Sequence, residues 1–285
     1  GELYGLDQLK PQRQLEIQPY IVASTTTYEA IDGNPYADGR DNGLAAGLDG
    51  KIGVTNDLTL DFTINPDFGQ VEADPSAIAL DGFQIFFPEQ RPFFIENNNI
   101  FDYKFSNSRS GNTFGFDNLF YSRRIGRSPQ GFFTVHPDEF VDRPDVTTIL
   151  GAVKFSGKTK DGWSIGVLES ITAEEQALVT NPTLEERSEI IEPLTNYAVG
   201  RIQKDFNNRE SFIGGIFTST VRNLGSENVS FLHKSAHTGG LDFTHQWKNR
   251  AWYVTGNFVM SQVEGTTEAI TTTQTSITLL FNRVD

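Results

Sequence analysis

Four times along this chain, two runs of alternating apolar and polar residues are joined by a very short polar turn. These turns lie at residues 55–57, 158–161, 207–210 and 249–250. Alternation with a period of two is typical of β-strands, and two such runs around a short turn predict a hairpin. Because a long polar connection separates each hairpin from the next, the pattern predicts an all-β, antiparallel sheet that runs up and down.

The clearest run is residues 58–65, where every even-numbered position is apolar and every odd-numbered position is polar. Pro19 lies in the first strand and cannot donate a ladder hydrogen bond, which predicts an unpaired side or a bulge there. We predict nine strands, with a tenth at residues 272–282. The nine are residues 13–28, 44–54, 58–65, 149–157, 163–171, 197–206, 211–220, 237–247 and 252–263.

The length of these runs favours strands that cross a membrane. Many exceed ten residues, whereas strands of soluble sheets most often have about 5–6. The mean hydropathy of −0.36 is compatible with this, because only alternate side chains of a membrane strand are apolar. We therefore expect an up-and-down transmembrane β-barrel, of which nine or ten strands are seen, and a soluble β-sandwich is the alternative. Polar strand residues would then face the lumen: Asp61, Lys154, Glu169, Arg201, Lys204 and Asp242.

The positions of the aromatic residues and of the long connections indicate how the expected barrel is oriented in the membrane. Aromatic belts lie at the membrane interfaces of such barrels, whose turns are short on the periplasmic side and long outside. We accordingly expect the cell outer membrane, with lipid and lipopolysaccharide as surroundings. The net charge of −14 argues against nucleic acid as a partner. The aromatics close to the short turns are Phe155, Trp163, Phe206, Phe212, Trp247, Trp252 and Tyr253.

The connection at residues 65–146 is too long for an ordinary loop and is rich in phenylalanine. It divides the chain into first barrel strands at residues 1–64, an insert at 65–146, and further barrel strands at 147–285. The rings need burial, so we expect the insert to plug or constrict the lumen, and a surface cap is the alternative.

Charged residues of the insert are embedded among its aromatics. Because buried charges are usually paired, we expect an internal salt-bridge network. The alternatives are a Ca²⁺ site formed by Asp67, Glu72 and Asp74, and a carboxylate pair for glycosidic cleavage, although neither spacing matches a diagnostic motif. We assign no catalytic residue and expect no other cofactor. The network comprises Asp67, Glu72, Asp74, Glu89, Arg91, Glu96, Arg123, Arg124 and Arg127.

Residues 65–76, 86–96, 119–127 and 195–206 resemble an uncharacterised family of Bacteroidota-type bacteria. In that family a carbohydrate-binding domain of family 9 type usually precedes an outer-membrane barrel, and the family is often labelled a hydrolase. The resemblance implies a barrel, with other envelope proteins and glycans as partners. This chain lacks the carbohydrate-binding domain, and family barrels extend beyond its length, so we expect it to represent part of one.

Two functions follow as expectations. The first is a non-enzymatic outer-membrane barrel that acts as an envelope-assembly subunit or as a transport channel with an occluded lumen. The alternative is a carbohydrate-active hydrolase that uses carboxylates of the insert.

Overall fold

The computed structural model describes residues 14–66, 87–104, 118–181, 183 and 185–275. The fold of this part of the chain is all-β, as predicted, with two antiparallel sheets and two α-helices, α1 (Pro92–Ile95) and α2 (Thr267–Thr275). The strands are β1 (Leu15–Thr27), β2 (Arg40–Gly53), β3 (Leu58–Ile64), β4 (Phe140–Asp142), β5 (Ile149–Lys158), β6 (Trp163–Thr172), β7 (Glu175–Thr180), β8 (Glu186–Glu192), β9 (Thr195–Phe206), β10 (Ser211–Arg222), β11 (Ser235–Trp247) and β12 (Trp252–Glu264).

The main sheet contains all nine predicted strands, in the order β1-β2-β3-β5-β6-β9-β10-β11-β12. Every neighbouring pair is antiparallel, and each short turn joins two adjacent strands. Within the described residues β1 pairs only with β2, so it is an edge strand. Pro19 of β1 lies opposite Leu48 of β2. The other side of β1 has no partner strand among the described residues, which agrees with the unpaired side expected at this proline.

A second, three-stranded sheet has the order β4-β7-β8. Strands β7 and β8 lie in residues 172–195, which were expected to form a long connection between hairpins, so this sheet was not predicted. Its core contains Ala177, Val179 and Ile191, each at most 1% exposed. The alternation of Ala177 and Val179 was the available signal, but it extends over too few residues to stand out.

The prediction of a tenth strand at residues 272–282 is wrong for residues 272–275, which the structure describes. Helix α2 occupies Thr267–Thr275, and the rest of the predicted strand lies outside the described residues. The side chain of Thr266 accepts a hydrogen bond from the Ala269 N–H, which caps the helix, and Thr273 Oγ1 lies 2.9 Å from His233 Nε2. Among the helices that the structure describes, none has the length and apolarity needed to cross a bilayer.

In its central strands the main sheet has one covered face, which carries both polar and apolar residues, and one exposed, apolar face. Lys154 and Ser156 on the covered face are at most 1% exposed, whereas Val153 on the other face of the same strand is 47% exposed. In the centres of β11 and β12, Leu241 and Phe258 are 62% and 64% exposed. We call the covered face inward and the exposed face outward.

The six polar strand residues expected on the inward face divide between the two faces. Asp61, Lys154 and Arg201 are buried inward, and Asp242 pairs with Arg201 there. The expectation is wrong for Glu169 and Lys204. Each lies two residues from an exposed apolar residue of its own strand, β6 or β9, and therefore shares the outward face with it. Lys204 is near the end of its strand, where its side chain reaches the Asp161 carbonyl in the turn.

The described parts of the insert cover the inward face of the central strands and form the main core with it. This core comprises Phe94, Phe101, Tyr103, Ile125, Ile149, Leu168, Tyr197, Val199 and Ile216.

Three inward glycines leave hollows into which large side chains fit. A Cβ atom on Gly166 would lie 2.9 Å from the Phe101 ring, and one on Gly240 would lie 2.8 Å from the Tyr103 ring. On Gly214 it would lie 2.6 Å from the Arg201 guanidinium. We call these three positions the glycine hollows.

Candidate functional site

Tyr103 anchors the insert to the inward face of the sheet. It is fully buried, and its hydroxyl lies 2.8 Å from the Leu241 carbonyl oxygen and 3.1 Å from that of Phe258. The guanidinium of Arg201 lies 5.4 Å from the ring centroid. Arg201 reaches across Gly214 to Asp242, with Nη1–Oδ1 and Nη2–Oδ2 distances of 2.6 and 2.7 Å. The side chain of Tyr103 therefore contacts both β11 and β12, and its ring packs against the guanidinium of the Arg201–Asp242 ion pair.

A second polar cluster lies where helix α1 meets β2, β3 and β5. Nζ of Lys51 and Nζ of Lys154 each lie 3.7 Å from a different oxygen of Asp61. Lys51 also donates to Glu96 at 2.5 Å, and Lys154 donates to the backbone carbonyls of Phe93 and Glu96. Two ammonium groups thus face two carboxylates, so the cluster is close to neutral and holds the insert against the sheet.

A third cluster joins two segments of the insert through Glu89. Nε and Nη2 of Arg91 donate to Glu89 at 2.8 and 2.7 Å, and the Ser122 hydroxyl donates to it at 2.5 Å. Arg91 also donates to the carbonyls of Ser122 and Ile125. Burial alone would raise the pKa of Glu89, but the donors and charge of Arg91, together with Ser122, outweigh it and lower that pKa.

We expect Glu89→Gln to remove part of the acid sensitivity of the fold. Because the folded-state pKa of Glu89 is depressed, its contribution is fully present above its unfolded value of 4.5. That contribution is lost as the pH falls through the folded-state pKa. Urea unfolding at a series of pH values from 7 down to about 3 measures this. The wild type should lose more stability over that range than Glu89→Gln, and parallel profiles would contradict the assignment.

The described charged residues of the insert form one ion pair of the expected internal kind and one that joins the insert to the sheet. Glu89 pairs with Arg91 inside the insert, whereas Glu96 pairs with Lys51 of the sheet rather than with an insert arginine. Nη1 of Arg123 donates to the Pro88 carbonyl at 2.9 Å. The remaining predicted residues are of two kinds. Arg124 and Arg127 form no ion pair with any described residue, and Asp67, Glu72 and Asp74 lie outside the described residues.

The described carboxylates of the insert do not favour the hydrolase alternative. Glu89 and Glu96 are each held by a cation at hydrogen-bond distance, whereas glycosidic cleavage needs a carboxyl pair flanking an open cleft. Within the described residues, no group of three or more His, Cys, Asp or Glu is placed to hold a metal ion. The proposed Ca²⁺ ligands lie outside these residues, so that site stays a prediction.

Fold and site together define an all-β protein whose sheet carries a charged, covered inward face. A family model described as a domain of unknown function, DUF5916, matches residues 11–284. The chain therefore belongs to this family, in agreement with the expected membership of an uncharacterised family. No curated protein and no solved structure matches this chain.

Proposed function

We propose that this chain is a non-enzymatic outer-membrane β-barrel protein whose main sheet forms part of the barrel wall. The outward face contacts lipid, and the insert occupies the interior. The protein then acts as a subunit of an envelope assembly or as a transport channel with an occluded lumen. We favour the assembly role, because a lumen that the insert fills would conduct poorly.

The observation that carries this proposal is the exposed, apolar outward face of the main sheet, which lies opposite an inward face that buries charged residues. A soluble sheet with one solvated face presents polar residues to water and buries apolar ones. Here Leu241, Phe258 and Met260 are 62%, 64% and 67% exposed, while Lys154 and Arg201 are buried. A barrel in a bilayer has this arrangement, with lipid-facing apolar residues that alternate with polar residues of the interior.

The aromatic residues near the short turns support the same orientation. Trp163, Phe206, Trp247 and Trp252 lie on the outward face at the turn end of their strands and are 38% to 60% exposed. The ammonium group of Lys204 lies 5.1 Å from the Trp163 ring centroid. Aromatic rings and lysines with apolar stems are typical of the membrane–water interface.

The three tryptophans of the chain provide a test, because all of them lie at this one level. We expect their fluorescence in reconstituted vesicles to be quenched more strongly by lipids brominated near the headgroup than by lipids brominated near the chain end. A matched control replaces the three tryptophans with phenylalanine and introduces Phe217→Trp at the outward centre of β10. This variant should show the opposite order. Absence of quenching in both proteins would overturn the membrane assignment.

A further inference from the structure

A cavity of about 190 Å³ lies between helix α1 of the insert and the inward face of β1, β2, β3 and β5. A row of four charged side chains lines it from the sheet, with one residue from each of these strands. The four lie directly opposite one another in register and alternate in charge: Glu16, Lys51, Asp61 and Lys154. Asp49 of β2 also lines the cavity from the sheet, and Pro92, Phe93 and Glu96 line it from the insert.

Acidic residues outnumber basic residues around this cavity. Its lining contains four carboxylates and two ammonium groups, so its formal charge is −2. The two lysines balance Asp61 and Glu96, with which they form the second polar cluster. The excess comes from Glu16 and Asp49, which form no ion pair with any residue in the described part of the chain. The charge of the lining therefore favours a cationic ligand over an anionic one.

The Asp61 carboxylate is the buried acceptor of the cavity. Asp61 is 4% exposed, and neither of its oxygens accepts a hydrogen bond from a described residue. Nζ of Lys51 and Nζ of Lys154 each lie 3.7 Å from it, which is within ion-pair distance but too far for a hydrogen bond. A buried carboxylate without hydrogen bonds is unfavourable, and donors from a ligand would relieve this.

The two lysines direct their protons at the insert rather than at Asp61. Nζ of Lys51 donates to both carboxylate oxygens of Glu96 at 2.5 Å, and Nζ of Lys154 donates to the backbone carbonyls of Phe93 and Glu96. A ligand in the cavity therefore meets acceptors in excess and donors that are already in use. An ammonium group matches this environment, because it has three donors and no acceptor.

We propose that this cavity binds a small organic ammonium ion, and that a short linear diamine, with two positive charges, matches its formal charge of −2. Pro92 and Phe93 provide apolar surface for the carbon chain. Because an engineered cavity of about 150 Å³ binds benzene, a cavity of this size has room for such a chain. Its inward position favours a soluble amine over the ammonium of a lipid headgroup. The site does not depend on the membrane proposal, because it concerns the inward face only.

Calorimetric titration of the purified full chain in non-ionic detergent with 1,4-diaminobutane at neutral pH tests the site. We expect saturable binding, weakened about tenfold or more in Asp61→Asn, which loses the charge that accepts the ligand's hydrogen bonds. Glu16→Gln changes an exposed residue of the edge strand, so it should leave folding intact and weaken binding about threefold. Glu169→Gln removes the same charge from the outward face and should bind like the wild type. Migration of unboiled protein in a gel verifies the fold of each variant.

Three outcomes would overturn the proposal. The first is no saturable binding of 1,4-diaminobutane by the wild type, and the second is equal affinity in the wild type, Asp61→Asn and Glu16→Gln. The third is displacement of the diamine by an equal concentration of Mg²⁺, which would show a response to charge alone. Binding of micelles that contain phosphatidylethanolamine, without binding of the free diamine, belongs to the first outcome and would place the ammonium site on the lipid side.

Discussion

Arg201→Met should lower the free energy of unfolding by about 3–5 kcal/mol, because it leaves Asp242 without its partner in a covered site. Arg201 and Asp242 have side chains that are 2% and 13% exposed, and two short hydrogen bonds join them. Urea unfolding in lipid vesicles, followed by tryptophan fluorescence, measures the change. The variant should also loosen the insert, since the guanidinium that stacks on Tyr103 is lost.

Two further variants make this result specific to the buried pair. Adding Asp242→Leu to Arg201→Met should recover much of the lost stability, because the second change removes the unpaired charge. Arg187→Met removes an arginine that pairs with Glu139 and Glu189 near the surface, and solvent screening should make its effect smaller. If Arg201→Met costs no more than Arg187→Met, the buried pair does not stabilise the fold.

Leu241→Arg should destabilise the protein in vesicles by about 2–4 kcal/mol, which is the cost of a charge at the middle of the lipid-facing surface of a barrel. Leu241 lies at the outward centre of β11. Val221 is also outward but lies next to the end of β10, so Val221→Arg should cost at most about 1 kcal/mol. On a water-exposed sheet both substitutions would have small effects, and equal, small losses would therefore contradict the lipid-facing assignment.

The strands could be predicted from the sequence because their signal is local. Alternation over ten or more residues determines both the strand and its two faces, so all nine strands of the main sheet were identified. The pattern failed where it was short or where another local interaction competed with it. The Ala177–Val179 alternation was too brief to indicate β7. At residues 272–275, the described start of the expected tenth strand, the chain instead continues the helix that Thr266 caps.

The partners within the site could not be predicted, because they depend on which segments meet in space. Glu96 is 45 residues from its partner Lys51, and Tyr103 is 138 residues from the Leu241 carbonyl that it approaches. The sequence showed that the charges of the insert needed partners, but the sheet provided some of them. The faces of Glu169 and Lys204 were also missed, since a polar residue does not by itself indicate the side of the strand on which it lies.

The glycine hollows determine how the insert can leave the sheet. Phe101 and Tyr103 sit over Gly166 and Gly240, on strands that are not neighbours. Sliding the insert along the sheet would drive both rings into the side chains that flank these hollows. The insert must therefore lift from both positions together, and close-packed contacts of this kind have discrete arrangements rather than graded ones. Release of the insert from the sheet would accordingly be an all-or-none event.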